Sequence, residues 1–118
     1  MNFQVDFYET EDGKQPIEDF LNELDVKTRA KMISLMEILQ EKGTSLREPY
    51  TKHLDDGIFE LRCSSSVNVS RALFFFYIGN KIIITNGFIK KTQKTPRKEI
   101  QLAKNRRTEY LRRERNQK

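Results

Sequence analysis

The sequence predicts an α+β domain of order β-α-α-β-β-β-α, an antiparallel sheet with two N-terminal helices on one face and a basic C-terminal helix. Three observations predict it. Residues 2–8 alternate apolar and polar, residues 16–43 place apolar side chains at helical spacing, and from Gly57 the strand period of two returns and holds almost to Phe88. With 118 residues and 36% hydrophobic content, the chain suits one globular domain, 1–118. A chain of this size buries roughly 60–70% of the surface it exposes when unfolded.

The elements follow in order. In NFQVDFY, Phe3, Val5 and Phe7 fall on one face, as in a half-buried strand. ETEDGKQ turns the chain, and Pro16 suits a first helical position, where its missing N–H is no loss. Ile17, Phe20, Leu21 and Leu24 recur at helical spacing. Asp25 is placed to cap a second helix, whose buried stripe is expected from Ala30, Ile33, Met36 and Leu39, and Gly43 is placed to end it. Three strand-like runs come next, GIFELRC, VNVSRALFFFYI and KIIITNGF, separated by a serine loop and by Gly79-Asn80. The latter pair tolerates the positive φ of a two-residue hairpin turn. Thr95-Pro96 reads as cap and first residue of the last helix, whose apolar stripe is Ile100, Ala103, Tyr110 and Leu111. Its final residues, RERNQK, are expected to fray.

Charge is divided unevenly along the chain. Residues 1–42 carry 5 basic and 10 acidic residues, a net of −5, whereas residues 87–118 carry 12 and 3, a net of +9. Such asymmetry points to a polyanionic partner for the C-terminal part; a solvated basic helix is the plainer alternative. The single cysteine, Cys63, excludes an intramolecular disulfide, and with one histidine it does not make a four-ligand zinc site, so no metal or cofactor is implied. No window approaches the 18 apolar residues of a membrane span, and a soluble cytoplasmic protein is expected.

Register concentrates positive charge at one place. With Gly79-Asn80 as the turn, Ile78 pairs with Lys81, Phe75 with Ile84 and Arg71 with Phe88; a serine loop centred on Ser66-Val67 sets Arg62 opposite Arg71. One face then carries Glu60, Arg62, Arg71, Leu73, Phe75, Ile84 and Phe88, with Lys90 beyond. The other carries Phe59, Leu61, Cys63, Ala72, Phe74, Phe76, Ile83 and Thr85, suited to packing under the helices. Like charges directly opposed destabilise a sheet. An anion held between the arginines, such as a phosphate gripped by the planar guanidinium fork with Phe88 as a stacking ring, accounts for the pair. The plainer alternative pairs Arg62 with Glu60 or solvent.

GIFELR, SRALFFFY and GFIKKTQKTPRKEI, followed by LAKNR, resemble the HigB-like branch of the RelE/ParE toxin superfamily, which includes phage-derived Gp49-like proteins. The resemblance covers nearly the whole chain. It implies the toxin of a type II toxin–antitoxin pair, a metal-independent endoribonuclease that cuts mRNA on the ribosome by attack of a ribose 2′-OH on the adjacent phosphorus. It implies catalytic positions at Arg62, Arg71, Lys90 and Lys91 and further basic or histidine contacts at Lys52 and His53; Phe88, as the candidate stacking ring, and Lys94 complete the expected RNA contacts. Tyr110 lies on the last helix and receives no role. The general base is left open among Lys90, Lys91 and His53. The implied partners are a HigA-like helix-turn-helix antitoxin, mRNA and the ribosome, with operator DNA reached only through the antitoxin. A ParE-type gyrase inhibitor and a non-catalytic nucleic-acid-binding module are the competing readings.

Overall fold

The computed structural model describes residues 2–117. One sheet contains β1 (Gln4–Phe7), β2 (Thr51–Asp55), β3 (Ile58–Ser64), β4 (Val69–Tyr77) and β5 (Lys81–Ile89), in the spatial order β1-β5-β4-β3-β2. The helices are α1 (Pro16–Glu23), α2 (Val26–Lys42) and α3 (Arg97–Asn116). The α+β class holds, with two corrections. The sheet is mixed rather than antiparallel, and it has one strand more than expected.

Both corrections have a topological cause. From β2 to β5 the chain meanders, each short loop reversing its direction. β1 joins by another route: the chain leaves it for α1 and α2, enters the sheet at the far edge and returns to lay β5 beside β1, parallel, with Gln4 opposite Lys81 and Phe7 opposite Ile84. The additional strand, β2, is joined to β3 by a tight turn at Asp56 and Gly57, whose φ values are +48° and +80°. Asp-Gly is a strong hairpin signal. TKHLD before it has a single apolar residue, Leu54, so alternation alone does not reveal the strand.

Local chemistry sets the helix ends. Pro16 opens α1, and the Asp25 carboxylate accepts from Thr28 N at 3.0 Å to cap α2. Gly43, at φ +54°, closes α2 where a Cβ would collide with the Phe3 ring. The buried stripe of α2 is Thr28, Met32, Leu35, Met36 and Leu39, whereas Ala30 and Ile33 face outward. A buried threonine hides this phase in the sequence. Its hydroxyl is satisfied by Asp25 Oδ1 at 2.6 Å and by Ser65 Oγ at 2.7 Å.

Helices cover both faces. α1 and α2 pack over Leu61, Cys63, Ala72, Phe74, Ile82 and Ile84; α3 covers Ile58, Leu73, Phe75 and Ile83 through Ala103 and Tyr110. The expected facing of Ile83 and Ile84 is therefore exchanged. The turn is a three-residue loop, with Tyr77 opposite Lys81, and Thr85 is bulged between the Phe74–Ile84 and Leu73–Asn86 pairs. The two offsets cancel, so Arg71 still meets Phe88. α1 comes close because Gly87 has no side chain: a Cβ there would lie 2.4 Å from Phe20 Cδ2. No helix among the described residues is long and apolar enough to cross a membrane.

Candidate functional site at the open end of the sheet

Arg62 and Arg71 are direct cross-strand partners, as the register predicts. Their repulsion is relieved within the fold. Glu60, 1% exposed, places Oε1 3.0 Å from Arg62 Nε and 3.3 Å from Arg71 Nε, so the pairing of Arg62 with Glu60 is observed and extends to Arg71. The opposed arginines therefore do not by themselves require an external anion. Glu60 Oε2 accepts from the Thr95 hydroxyl, which anchors the segment between β5 and α3. Thr95 is thus no cap for α3; Pro96 occupies that position. Burial alone would push the Glu60 carboxyl up, but Thr95, Arg62, Arg71 and Lys90 more than offset this and hold it below its ordinary value.

A groove of about 340 Å³ opens above this carboxylate, lined by Lys52, His53, Glu60, Arg62, Lys90, Lys94, Thr95 and Arg97 among others. Five cations thus converge on one carboxylate. β2 brings Lys52 opposite Glu60, and β5 runs out directly into Lys90, whose N–H donates to Val69 O at 2.7 Å. Lys90 is pulled below the ordinary lysine value, first by partial burial and then by Arg71, Arg62 and Lys52, against the opposing effect of Glu60.

The other expected site residues divide. Lys94 lines the groove, while Lys91 is exposed and does not. His53 lies at the rim, its Nε2 accepting from Gly57 N at 3.0 Å and its ring edge-on to Phe59 with centroids 5.0 Å apart. That nitrogen serves the β2–β3 turn. Phe88 packs into the cluster under α3 and does not line the groove. Glu60, which the sequence offers as the alternative partner of Arg62, and Thr95, which it offers as a helix cap, together organise the site. The adjacency of Glu60 to Arg62 is legible because residues two apart on a strand share a face; the reach of Glu60 to Arg71 and Thr95 depends on the folded arrangement.

Much of the α3 charge is answered within the chain. Lys104 reaches Asp55 at 2.6 Å, Arg107 reaches Asp56 at 2.9 Å, and Arg112 reaches Glu11 at 3.6 Å. Arg113 bonds Glu109 and the Glu9 carbonyl, so α3 stays helical to Asn116 instead of fraying over RERNQK; Lys118 lies outside the described residues. Of the cations that line the groove, Lys52, Lys90, Lys94 and Arg97 have no carboxylate partner among the described residues. The converging groups are amines, guanidiniums, one carboxylate and a hydroxyl, and no three His, Cys, Asp or Glu side chains converge among the described residues.

A mixed sheet clasped by helices on both faces, open at one end to a cationic groove, defines a small α+β domain. Residues 19–108 match the model of the phage-derived protein Gp49-like family (DUF891), and the chain belongs to that family, one of RelE/HigB-like toxins. No curated protein matches the chain.

Proposed function

We propose that this protein is the toxin of a type II toxin–antitoxin pair and acts in the cytoplasm as a metal-independent, ribosome-dependent mRNA endoribonuclease. The observation that carries the reading is the groove in which five cations surround one buried carboxylate. A phosphodiester needs such a field, and more so as its negative charge concentrates in the phosphorane. Arg62 and Arg71 are read as the phosphate grip, with Glu60 fixing both guanidiniums in advance.

In this reading Lys90 is the general base, since a lysine pulled down by partial burial and then by neighbouring cations holds a larger neutral fraction near neutral pH. It takes the proton of the 2′-OH, the O2′–P bond forms, the P–O5′ bond breaks, and a groove ammonium returns a proton to O5′. The products are a 2′,3′-cyclic phosphate and a free 5′-OH. Lys52, Lys94 and His53 are read as contacts along the RNA. Membership of a toxin family implies an antitoxin partner, which we take to be a HigA-like helix-turn-helix protein that also carries the complex to operator DNA.

The test is a map of new mRNA 5′ ends shortly after induction, for wild type and for Arg71→Ala confirmed folded by circular dichroism. New ends inside translated codons, absent in the variant, support the reading. Growth arrest without new ends overturns it in favour of a target such as gyrase.

A further inference from the structure

A second groove, of about 350 Å³, shares Arg62 with the first, adds Arg71, and opens toward α2 instead of α3. Its other lining residues include Lys31, Pro49, Tyr50 and Ser64, and no carboxylate lines it. Lys31 is held at the rim, donating to the Ser64 carbonyl.

Two observations point to a ligand. Arg71 lines this groove although its side chain is only 9% exposed, and it is fixed there by Nη1 donating to Ser70 O at 2.9 Å and by Glu60 Oε1 3.3 Å from its Nε, so a guanidinium is held in advance at the groove wall. Independently, Tyr50 is 48% exposed on this groove, and its backbone is fixed: Arg62 N donates to Tyr50 O at 2.8 Å, continuing the pairing of Thr51 with Leu61. Tyr50, Arg62, Arg71 and Phe88 therefore form a row across four neighbouring chain segments. Phe88 is packed away under α3, which leaves Tyr50 as the accessible ring beside the arginines.

We propose that this groove is a second nucleotide subsite: a single RNA strand crosses Arg62, and the nucleotide on the α2 side of the phosphate stacks its base on Tyr50. The inference rests on the ribonuclease reading for the identity of the polymer. Chemistry favours RNA here because an aromatic face beside guanidinium and ammonium groups matches a base joined to a phosphate, and the carboxylates paired with Arg62, Glu60 at 3.0 Å and Glu48 at 3.7 Å, are not among the residues lining this groove.

The experiment measures binding of a short, fully 2′-O-methylated oligoribonucleotide, which cannot be cut, with one base removed at each position in turn. Wild type, Tyr50→Ala, Tyr50→Phe and Tyr50→Leu are compared at low salt, each checked by thermal melting. Expected is a loss of about ten-fold in wild-type affinity when one particular base is absent. Tyr50→Ala and Tyr50→Leu bind the intact strand about ten-fold more weakly and are indifferent to that base, whereas Tyr50→Phe behaves as wild type. Equal weakening of Tyr50→Ala with and without every base, or no weakening, overturns the subsite. A variant that loses antitoxin affinity while the RNA cycle stays additive overturns it too, in favour of a protein-docking surface. New 5′ ends with an additive cycle remove the subsite alone; a coupled cycle without new ends removes the ribonuclease reading and keeps the subsite.

Discussion

Arg62 and Arg71 face each other across β3 and β4, and a single oxygen of Glu60 stands 3.0 Å from one Nε and 3.3 Å from the other. The sheet therefore tolerates two opposed cations because a third side chain on the same face, itself buried, divides its charge between them. Glu60 makes the arginine pair a fixed part of the fold and leaves the remaining positive field to the groove above it.

Removing that charge is expected to be expensive. Glu60→Gln keeps the shape but leaves Arg71 buried without a counter-ion, and the loss in urea denaturation at neutral pH is expected at about 3–5 kcal/mol, the range for breaking a buried pair. The native carboxyl is held below its ordinary value of 4.5, so its contribution is complete above 4.5 and is lost as pH falls through the depressed native value. The gap between wild type and variant should close over that acid range. A gap independent of pH would mean the loss is not electrostatic.

Lys90 gives a kinetic prediction. If its amine takes the 2′-OH proton, the cleavage rate rises with pH through a value below the ordinary 10.5, and Lys90→Gln lowers the rate about 10²–10⁴-fold and flattens the rise. Lys52 is one of the cations that depress Lys90, so Lys52→Gln should move the rise to higher pH. An unchanged profile in Lys52→Gln, with Lys90→Gln still active, would dismiss Lys90 as the base.

Salt separates the groove from the helix. For single-stranded RNA, each phosphate contact removed lowers the slope of log affinity against log salt by about 0.7. Lys94→Gln is expected to do so. Arg107→Gln is not, because Arg107 is engaged by Asp56; its effect should appear in thermal stability. Equal slope changes for the two would show that α3 as a whole, and not the groove, holds the RNA.

Packing of α1 on the sheet gives a fourth test. Gly87→Ala drives a methyl into the Phe20 ring, 2.4 Å from Cδ2, and is expected to destabilise by about 1–3 kcal/mol in urea denaturation. Phe20→Leu should recover part of that loss in the double variant. Strict additivity of the two would show that the contact is not what limits the position.

Legibility in the sequence was uneven, for identifiable reasons. The Arg62–Arg71 and Arg71–Phe88 pairings could be read because alternation over nine-residue strands restricts register strongly, although the second survived only because a one-residue turn error and the Thr85 bulge cancel. β2 escaped because its five residues include one apolar side chain, even though Asp56-Gly57 marks its turn. In the α2 stripe Met36 and Leu39 are buried as expected, whereas Thr28, Met32 and Leu35 take the place of Ala30 and Ile33, because Thr28 is buried by hydrogen bonds that alternation does not reveal.

By itself the sequence determined the α+β class, the helix ends at Pro16, Asp25 and Gly43, and the row of arginines, since each depends on capping, turn chemistry or alternation between residues close along the chain. Tertiary structure alone decided the parallel placement of β1, the Thr95–Glu60 anchor, the pairing of α3 cations with Asp55, Asp56 and Glu11, and the bond from Arg113 to the Glu9 carbonyl. Most of these contacts join residues far apart in the chain, 35 positions for Thr95 with Glu60 and 104 for Arg113 with Glu9. Such pairs have no period to read: they exist only once independently formed elements have docked, and docking is governed by which apolar faces must be covered.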